Sequence, residues 1–178
     1  MGQVYRFKVA LKYRRGLWRS IEVKGSQTMR DLDKMIREAF NHEWDHLSEF
    51  YLGKIWRSRG LGEINPFGGG SGAKKRVDSL RLSEGDTLEY VYDFGADIQH
   101  ILTLEGVYGA EEGVEYPRIV SQNKPRYRYC ESCKKEGKKV VATWICVECS
   151  EEAQRSVLLC EDCLMREHED HYAEEKLY

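Results

Sequence analysis

Apolar and polar side chains alternate almost from the first residue: Tyr5, Phe7, Val9 and Leu11 fall on one face, Arg6, Lys8 and Lys12 on the other. A period of two marks a strand with one buried face. Arg14-Arg15-Gly16 makes a turn, and Leu17 to Val23 reads as the returning strand of a hairpin. The period then changes. Thr28 has the side chain of a helix N-cap, with Asp31 three residues on in the manner of a capping box. Leu32, Met35, Ile36, Ala39 and Phe40 recur at helical spacing, which predicts an amphipathic helix over 29–40. His46 to Leu52 reads as another strand. Residues 57–76 hold Asn65-Pro66-Phe67-Gly68-Gly69-Gly70-Ser71-Gly72, a composition that behaves as flexible coil, so a long mobile loop is expected there. A phosphate-binding loop is the competing reading, but no Gly-Lys-Ser/Thr closes the run and no helix pattern follows it. After a turn at Leu80 to Asp86, Leu88, Tyr90 and Tyr92 alternate into one strand and Ile98, Leu102 and Leu104 into the next. Residues 108–128 read as connecting chain. The expected core is Tyr5, Phe7, Val9, Leu32, Ile36, Leu88 and Tyr90.

Length and charge narrow the class. The chain has 178 residues, room for one ordinary domain and a small one. Boundaries are expected at 1–121 for the first domain, 122–129 for a linker and 130–178 for the second. With 28 basic against 30 acidic residues, no global charge draws the chain to nucleic acid or to an anionic membrane. No stretch approaches the roughly 20 apolar residues that span a bilayer, and the N-terminus lacks a signal peptide's apolar region. The expectation is a cytoplasmic protein with no membrane partner.

Several segments together carry a resemblance. Val4-Tyr5-Arg6-Phe7-Lys8-Val9-Ala10-Leu11, Gly16-Leu17-Trp18-Arg19, Asp45-His46-Leu47-Ser48-Glu49-Phe50, Glu84-Gly85-Asp86-Thr87-Leu88 and Tyr90-Val91-Tyr92-Asp93-Phe94-Gly95 occur in the order seen in the plasmid pRiA4b ORF-3-like family, which roughly the first 120 residues resemble. The resemblance implies no established activity. The family's motif continues Tyr-Asp-Phe-Gly-Asp-x-Trp-x-His, whereas Ala96 and Ile98 stand here where the acidic residue and the tryptophan would be. The element order is also similar to the β-grasp of ubiquitin-like domains. The expected fold is therefore α+β, a β-grasp-like mixed sheet with one main helix, followed by a small two-zinc module.

Cysteine divides the chain sharply. The first 129 residues have none, and all six lie between 130 and 163. They form three C-x2-C pairs, Cys130/Cys133, Cys146/Cys149 and Cys160/Cys163, followed by His168/His171 with the same spacing. Two cysteines three apart are poor disulfide partners and good joint ligands, because a tight knuckle aims both sulfurs at one point. Eight donors in four pairs make two closed tetrahedral sites, a sulfur/nitrogen set that selects zinc, so two zinc ions are the expected cofactors. Trp144-Ile145 and Val157-Leu158-Leu159 read as short strands leading into knuckles. By spacing alone the pairs could be shared consecutively or in a cross-brace. The ending from Leu158 to His171 resembles B-box zinc domains, and more loosely ZZ-type ones. That resemblance implies a cross-brace, with Cys130, Cys133, Cys160 and Cys163 on one ion and Cys146, Cys149, His168 and His171 on the other.

Two further sets of residues compete for a role. His46, Asp93, Asp97 and His100 could converge as a metal-dependent active site. Against this, His100 is in phase with Ile98, Leu102 and Leu104 and fits a core histidine, and aspartates flanking a glycine turn commonly bond local backbone. Residues 122–141 carry seven Lys/Arg against two Glu, interleaved with Tyr127 and Tyr129, a pattern that suits nucleic acid. From 142 onward, three basic residues face ten acidic ones, which would repel it. The preferred expectation is a non-catalytic interaction protein with structural zinc and a protein partner. The alternatives are a metal-dependent enzyme and nucleic-acid binding. No small-molecule substrate is expected.

Overall fold

The computed structural model describes residues 2–178. The chain divides into two compact units, the first ending at Asn123 and the second running from Lys124 to Tyr178.

The alternating face found at the N-terminus builds the centre of the first unit. β1 (Gln3–Leu11) and β2 (Arg14–Lys24) form an antiparallel hairpin in which Phe7 lies opposite Ile21, both fully buried. Helix α1 (Met29–Ala39) follows the predicted span closely. Thr28 and Asp31 form a complete capping box: the Thr28 N–H donates to the Asp31 carboxylate at 2.7 Å and the Asp31 N–H to the Thr28 hydroxyl at 3.3 Å. Then come β3 (Ser48–Tyr51), β4 (Gly60–Ile64), β5 (Thr87–Tyr92), β6 (Ile98–Gly109) and β7 (Arg118–Gln122). Together they make a seven-stranded sheet in the order β4-β3-β5-β6-β1-β2-β7.

The architecture is α+β, but the mixed sheet is corrected: all six pairings are antiparallel. The reason is counting. The crossover through α1 brings β3 back in the direction of β2, hence opposite to β1. One strand between β1 and β3 would have to lie parallel to one of them. The β5–β6 hairpin inserts two, so every neighbour reverses.

Two segments expected to be irregular are built into the sheet. β7 lies in the supposed connecting chain, where Ile119 pairs with Ile21. β4 and the glycine-rich run after it are ordered for a different reason. The first N–H groups of a helix have no intrahelical partner, and this run supplies acceptors: the Met29 N–H donates to the Lys75 carbonyl at 2.7 Å and the Arg30 N–H to that of Ala73 at 3.2 Å. The path requires backbone to pass against backbone. A Cβ on Gly72 would lie 2.0 Å from the Gly62 carbonyl oxygen, and one on Gly70 2.1 Å from that of Glu63. The glycines permit close approach here, where composition alone suggests mobility.

Sequence patterning gave no sign of the first unit's most buried polar contact. Arg37 is fully buried on α1. Its Nε donates to Asp33 Oδ2 at 2.9 Å, and its remaining nitrogens donate to Ser48 Oγ at 3.0 Å and to the carbonyls of His46 at 3.0 Å and Glu43 at 3.3 Å. The other Asp33 oxygen accepts from Ser48 at 2.5 Å and Tyr90 at 2.7 Å. A helical i,i+4 pair is thus stitched to β3 and β5.

In the second unit β8 (Trp144–Cys146), β9 (Val157–Leu159) and β10 (Ala173–Glu175) form a small antiparallel sheet in the order β10-β8-β9, with short helices α2 (Glu131–Lys135), α3 (Val147–Ala153) and α4 (Glu161–Glu167). Its buried centre consists largely of cysteines with Leu159 and Leu164.

The Arg37 contact makes a stability prediction. Asp33→Ala leaves a buried guanidinium without its counter-charge and is expected to cost about 3–5 kcal/mol. The double variant Asp33→Leu/Arg37→Met removes both charges and should recover part of that loss. Urea unfolding of the three proteins checks it, and a single variant less than about 1 kcal/mol below wild type would show that the pair contributes no more than a surface bridge.

Candidate metal centre

Each C-x2-C pair occupies the same place on a helix. Cys130, Cys146 and Cys160 are the N-cap residues of α2, α3 and α4, and Cys133, Cys149 and Cys163 sit at the third helical position. This is the relation in which an N-cap side chain reaches the first turn, so each pair of sulfurs converges. The Cys133 N–H lies 3.5 Å from Cys130 Sγ. His168 is the C-cap of α4, and a turn (His171 N–H to His168 carbonyl, 2.9 Å) places the second histidine beside it.

Two four-donor groups result, Cys130/Cys133/Cys160/Cys163 and Cys146/Cys149/His168/His171, and each could hold a metal ion. All eight residues singled out in the sequence fall in these groups, with the cross-braced sharing. In the first, Cys133 Sγ is 3.7 Å from Cys160 Sγ and 3.5 Å from Cys163 Sγ, far beyond the roughly 2.05 Å of a disulfide. All four residues are buried. In the second, both histidines present Nδ1. These nitrogens are 3.4 Å apart, and they lie 3.3 to 4.0 Å from the two sulfurs.

Crowding and burial shift the thiols in different directions. Burial pushes the Cys163 thiol well up, reinforced by the neighbouring thiols. Burial likewise moves Cys149 up to about 11, with Cys146 beside it adding to the effect. Burial opposes ionisation of Cys130 too, but hydrogen bonds from Cys133 and Cys160 outweigh it and bring that thiol down to about 7. Four thiolates crowded together need a positive ion, and protons compete with it for them.

The polar residues of the first unit are arranged differently from expectation. His46 Nε2 lies 3.7 Å from Asp93 and 3.4 Å from Asp45. Asp97 instead accepts from Gln99 at 2.7 Å. His100 is fully buried, with Nε2 3.1 Å from Nε2 of His42. The four residues His46, Asp93, Asp97 and His100 therefore do not form one acid–base set. Asp93 holds the glycine turn through the N–H groups of Gly95 and Ala96. Pattern reading missed His42, which stacks on Tyr92 at 4.4 Å, and missed Glu43, which with Asp45 and His46 makes an exposed group able to hold a metal ion. Neither has a periodic signal, since both stand in the irregular chain between α1 and β3.

The Asp45–Phe50 and Tyr90–Gly95 motifs thus meet at one end of the sheet, with Ser48 paired to Tyr92. The model of the plasmid pRiA4b ORF-3-like protein family matches residues 3–133. The chain belongs to this family. The match extends past the first unit to include Cys130 and Cys133. At the turn between β5 and β6, Gln99 donates to Asp97 at 2.7 Å. A protein of unknown function from Methanosarcina mazei, known from a crystal structure, is similar at 29% sequence identity and a TM-score of 0.56, over 68% of this chain and 70% of that one. No curated protein matches the chain.

The His42–His100 pair sets a pH dependence. Burial, helped by the Arg37 charge, lowers His42 to about 4; burial, with His42 beside it, lowers His100 as well. Between pH 6.5 and 4 the unfolded chain therefore takes up protons that the folded chain refuses. The stability contribution is complete above pH 6.5 and is lost as pH falls towards 4, by about 3 kcal/mol for His42 alone. Urea unfolding of wild type and His42→Phe at several pH values should show the steeper loss in wild type. Parallel curves would refute it.

Proposed function

We propose that this chain is a non-catalytic binding protein whose C-terminal unit is folded around two structural zinc ions. The observation that carries the reading is a set of interatomic distances. A tetrahedral zinc with sulfur at about 2.3 Å and nitrogen at about 2.0–2.1 Å has edges of about 3.8 Å between sulfurs, 3.5 Å between sulfur and nitrogen and 3.4 Å between nitrogens. The corresponding separations are 3.5 and 3.7 Å, 3.3 to 4.0 Å, and 3.4 Å. A four-sulfur and a two-sulfur, two-nitrogen donor set both suit zinc, and four protein donors leave no coordination position for a substrate. Arg166 adds support by placing Nη2 3.5 Å from Cys163 Sγ, where it offsets thiolate charge.

Size supports the same reading. A unit of this size is marginal, and its buried centre is largely cysteine with few apolar side chains, so little else holds it; zinc contributes on the order of 10–16 kcal/mol in comparable peptides. The first unit has its own cysteine-free core of Phe7, Leu32, Ile36, Leu88 and Tyr90. For the enzyme alternative, the support among the described residues is the exposed Glu43/Asp45/His46 group and the approach of His46 to Asp93, while Asp97 and His100 are engaged elsewhere. A protein partner is the first expectation from the sequence, and nucleic-acid binding through residues 122–141 is the alternative that the basic lining of the second unit's groove supports.

Native mass spectrometry should find two zinc ions per chain, and one or none would overturn the assignment. Cys130→Ala and Cys160→Ala should each remove the same ion, and Cys146→Ala and His168→Ala the other. Cobalt spectra would distinguish a four-sulfur from a mixed shell. Chelation should unfold the second unit while near-UV circular dichroism of the first persists. Because thiols such as Cys149, held up to about 11, must lose protons on binding, zinc affinity should fall as pH is lowered, with proton release visible by calorimetry in buffers of different ionisation enthalpy.

A further inference from the structure

The second unit carries an open groove lined by Tyr127, Arg128, Tyr129, Lys134, Lys135 and Lys139, with Lys138, Arg155 and Leu158 completing it. We propose that this groove binds single-stranded nucleic acid. The proposal rests on the zinc-folded reading of the unit, since α2 begins at Cys130 and carries Lys134 and Lys135.

Charge is the first argument. Residues 124–178 hold ten Lys/Arg and twelve Asp/Glu, so the unit as a whole is slightly acidic, yet six of the cations line this one groove. Glu131 is the one carboxylate in its lining among the described residues, and it is already engaged, accepting from Arg155 at 2.6 and 2.9 Å. Lys138 is likewise paired, with Glu136 at 2.7 Å. Arg128, Lys134, Lys135 and Lys139 form no ion pair within 4 Å of a carboxylate among the described residues, although the charge of Lys135 is felt by Glu131. Four unneutralised cations on one concave face ask for a polyanion.

The second argument is aromatic. Tyr127 and Tyr129 are 55% and 39% exposed, within the same lining as the cations. Tyr127 leans on Tyr178 at 5.1 Å, and the Tyr178 hydroxyl bonds the backbone of Arg128 and the carbonyl of Ala142, so the ring's position is set before any ligand arrives. Lys139 stands 4.8 Å over the Tyr129 ring. Rings beside free cations form the stacking platform and phosphate track of single-strand binders, whose ligands offer unstacked bases that a duplex does not. An acidic protein segment would use the cations and leave the rings without a role. The groove's volume, ≈1340 Å³, exceeds the roughly 300–1,000 Å³ of small-molecule pockets, in keeping with a polymer.

The test uses the zinc-loaded full chain and a fluorescein-labelled oligothymidylate of about 12 nucleotides, in the range of single-strand site sizes. Anisotropy is followed from about 50 to 200 mM salt, with a slope of log affinity against log salt near −3 expected for four phosphate contacts. Lys134→Ala/Lys135→Ala/Lys139→Ala, shown by elemental analysis to keep two zinc ions, should flatten the slope by about 2 and weaken binding at least tenfold. Tyr127→Leu, with the same zinc content, should weaken binding about fivefold or more with the slope unchanged. If zinc content proves other than two, the folded-unit reading fails; if it is two and no oligonucleotide binds at 50 mM salt, this proposal alone fails. Equal affinity for duplex would also overturn it. Displacement by poly-glutamate at equal affinity, with Tyr127→Leu silent, would assign the groove to an acidic protein segment instead.

Discussion

One short helix decides how the C-terminal unit is wired. α4 has a cysteine pair at its N-terminal end and a histidine pair at its C-terminal end, and a helix of that length holds its ends about 10 Å apart. No single tetrahedral ion spans that distance, so the two pairs must belong to different groups. Of the two sharings that remain, the approach of Cys133 Sγ to Cys160 and Cys163, and of Cys146 and Cys149 to His168 and His171, selects the cross-brace. The small sheet follows from the same constraint. β8 delivers Cys146 and β9 delivers Cys160, and their antiparallel pairing sets Trp144 against Leu159 as the apolar filling around the sulfurs. Take away the donors and little apolar area is left to hold the unit.

The first unit depends on a contact of another kind. A guanidinium fully out of water is tolerable only when all its directions are occupied, and Arg37 reaches a carboxylate, a hydroxyl and two backbone carbonyls. Those carbonyls belong to Glu43 and His46, so the buried pair also anchors the irregular chain that carries the exposed Glu43/Asp45/His46 group and His42. The end of the sheet where the family motif residues gather is thus held from beneath by α1. Its polar groups serve the fold in several ways. Asp93 secures a turn, Tyr92 donates to the Glu43 carbonyl, and the half-buried His42 meets the buried His100 through their Nε2 atoms.

These two designs fit different tasks. Under the proposed two-zinc reading, complete donor shells leave the surface as the part of the unit that can meet a partner. On that surface the charges are sorted, with six cations and two exposed tyrosines on one groove whose one carboxylate is Glu131, and the other carboxylates of the described residues outside its lining. The sorting follows from the order of the chain, because the basic stretch 122–141 precedes the acidic one. The fold adds Arg155 and Leu158 from the far side of α3, closing a flat run of charge into a groove.

Period and spacing determined much on their own. The β1–β2 hairpin, the capped helix, strands β5 and β6, the apolar core and the eight donor residues were legible because each is a local pattern, repeating at 2, 3.6 or three-residue intervals. The sharing of donors was not legible in spacing, which also allows consecutive pairing; the rigid length of α4 rejects that arrangement, and the packing of the small unit brings Cys130 and Cys133 to Cys160 and Cys163. The sheet's direction was not either, because it turns on how many strands lie between β1 and β3. Glycines at 62, 70 and 72 read as mobility but serve close backbone approach, a difference that resides in Glu63 and in the start of α1, distant in sequence from one another. His100 was legible as a core position, but Arg37 and His42 carried no signal, and it is burial against partners up to 58 residues away that brings the two histidines together. Local interactions write themselves into the sequence; the long-range desolvation of polar groups is decided only when the chain has closed around them.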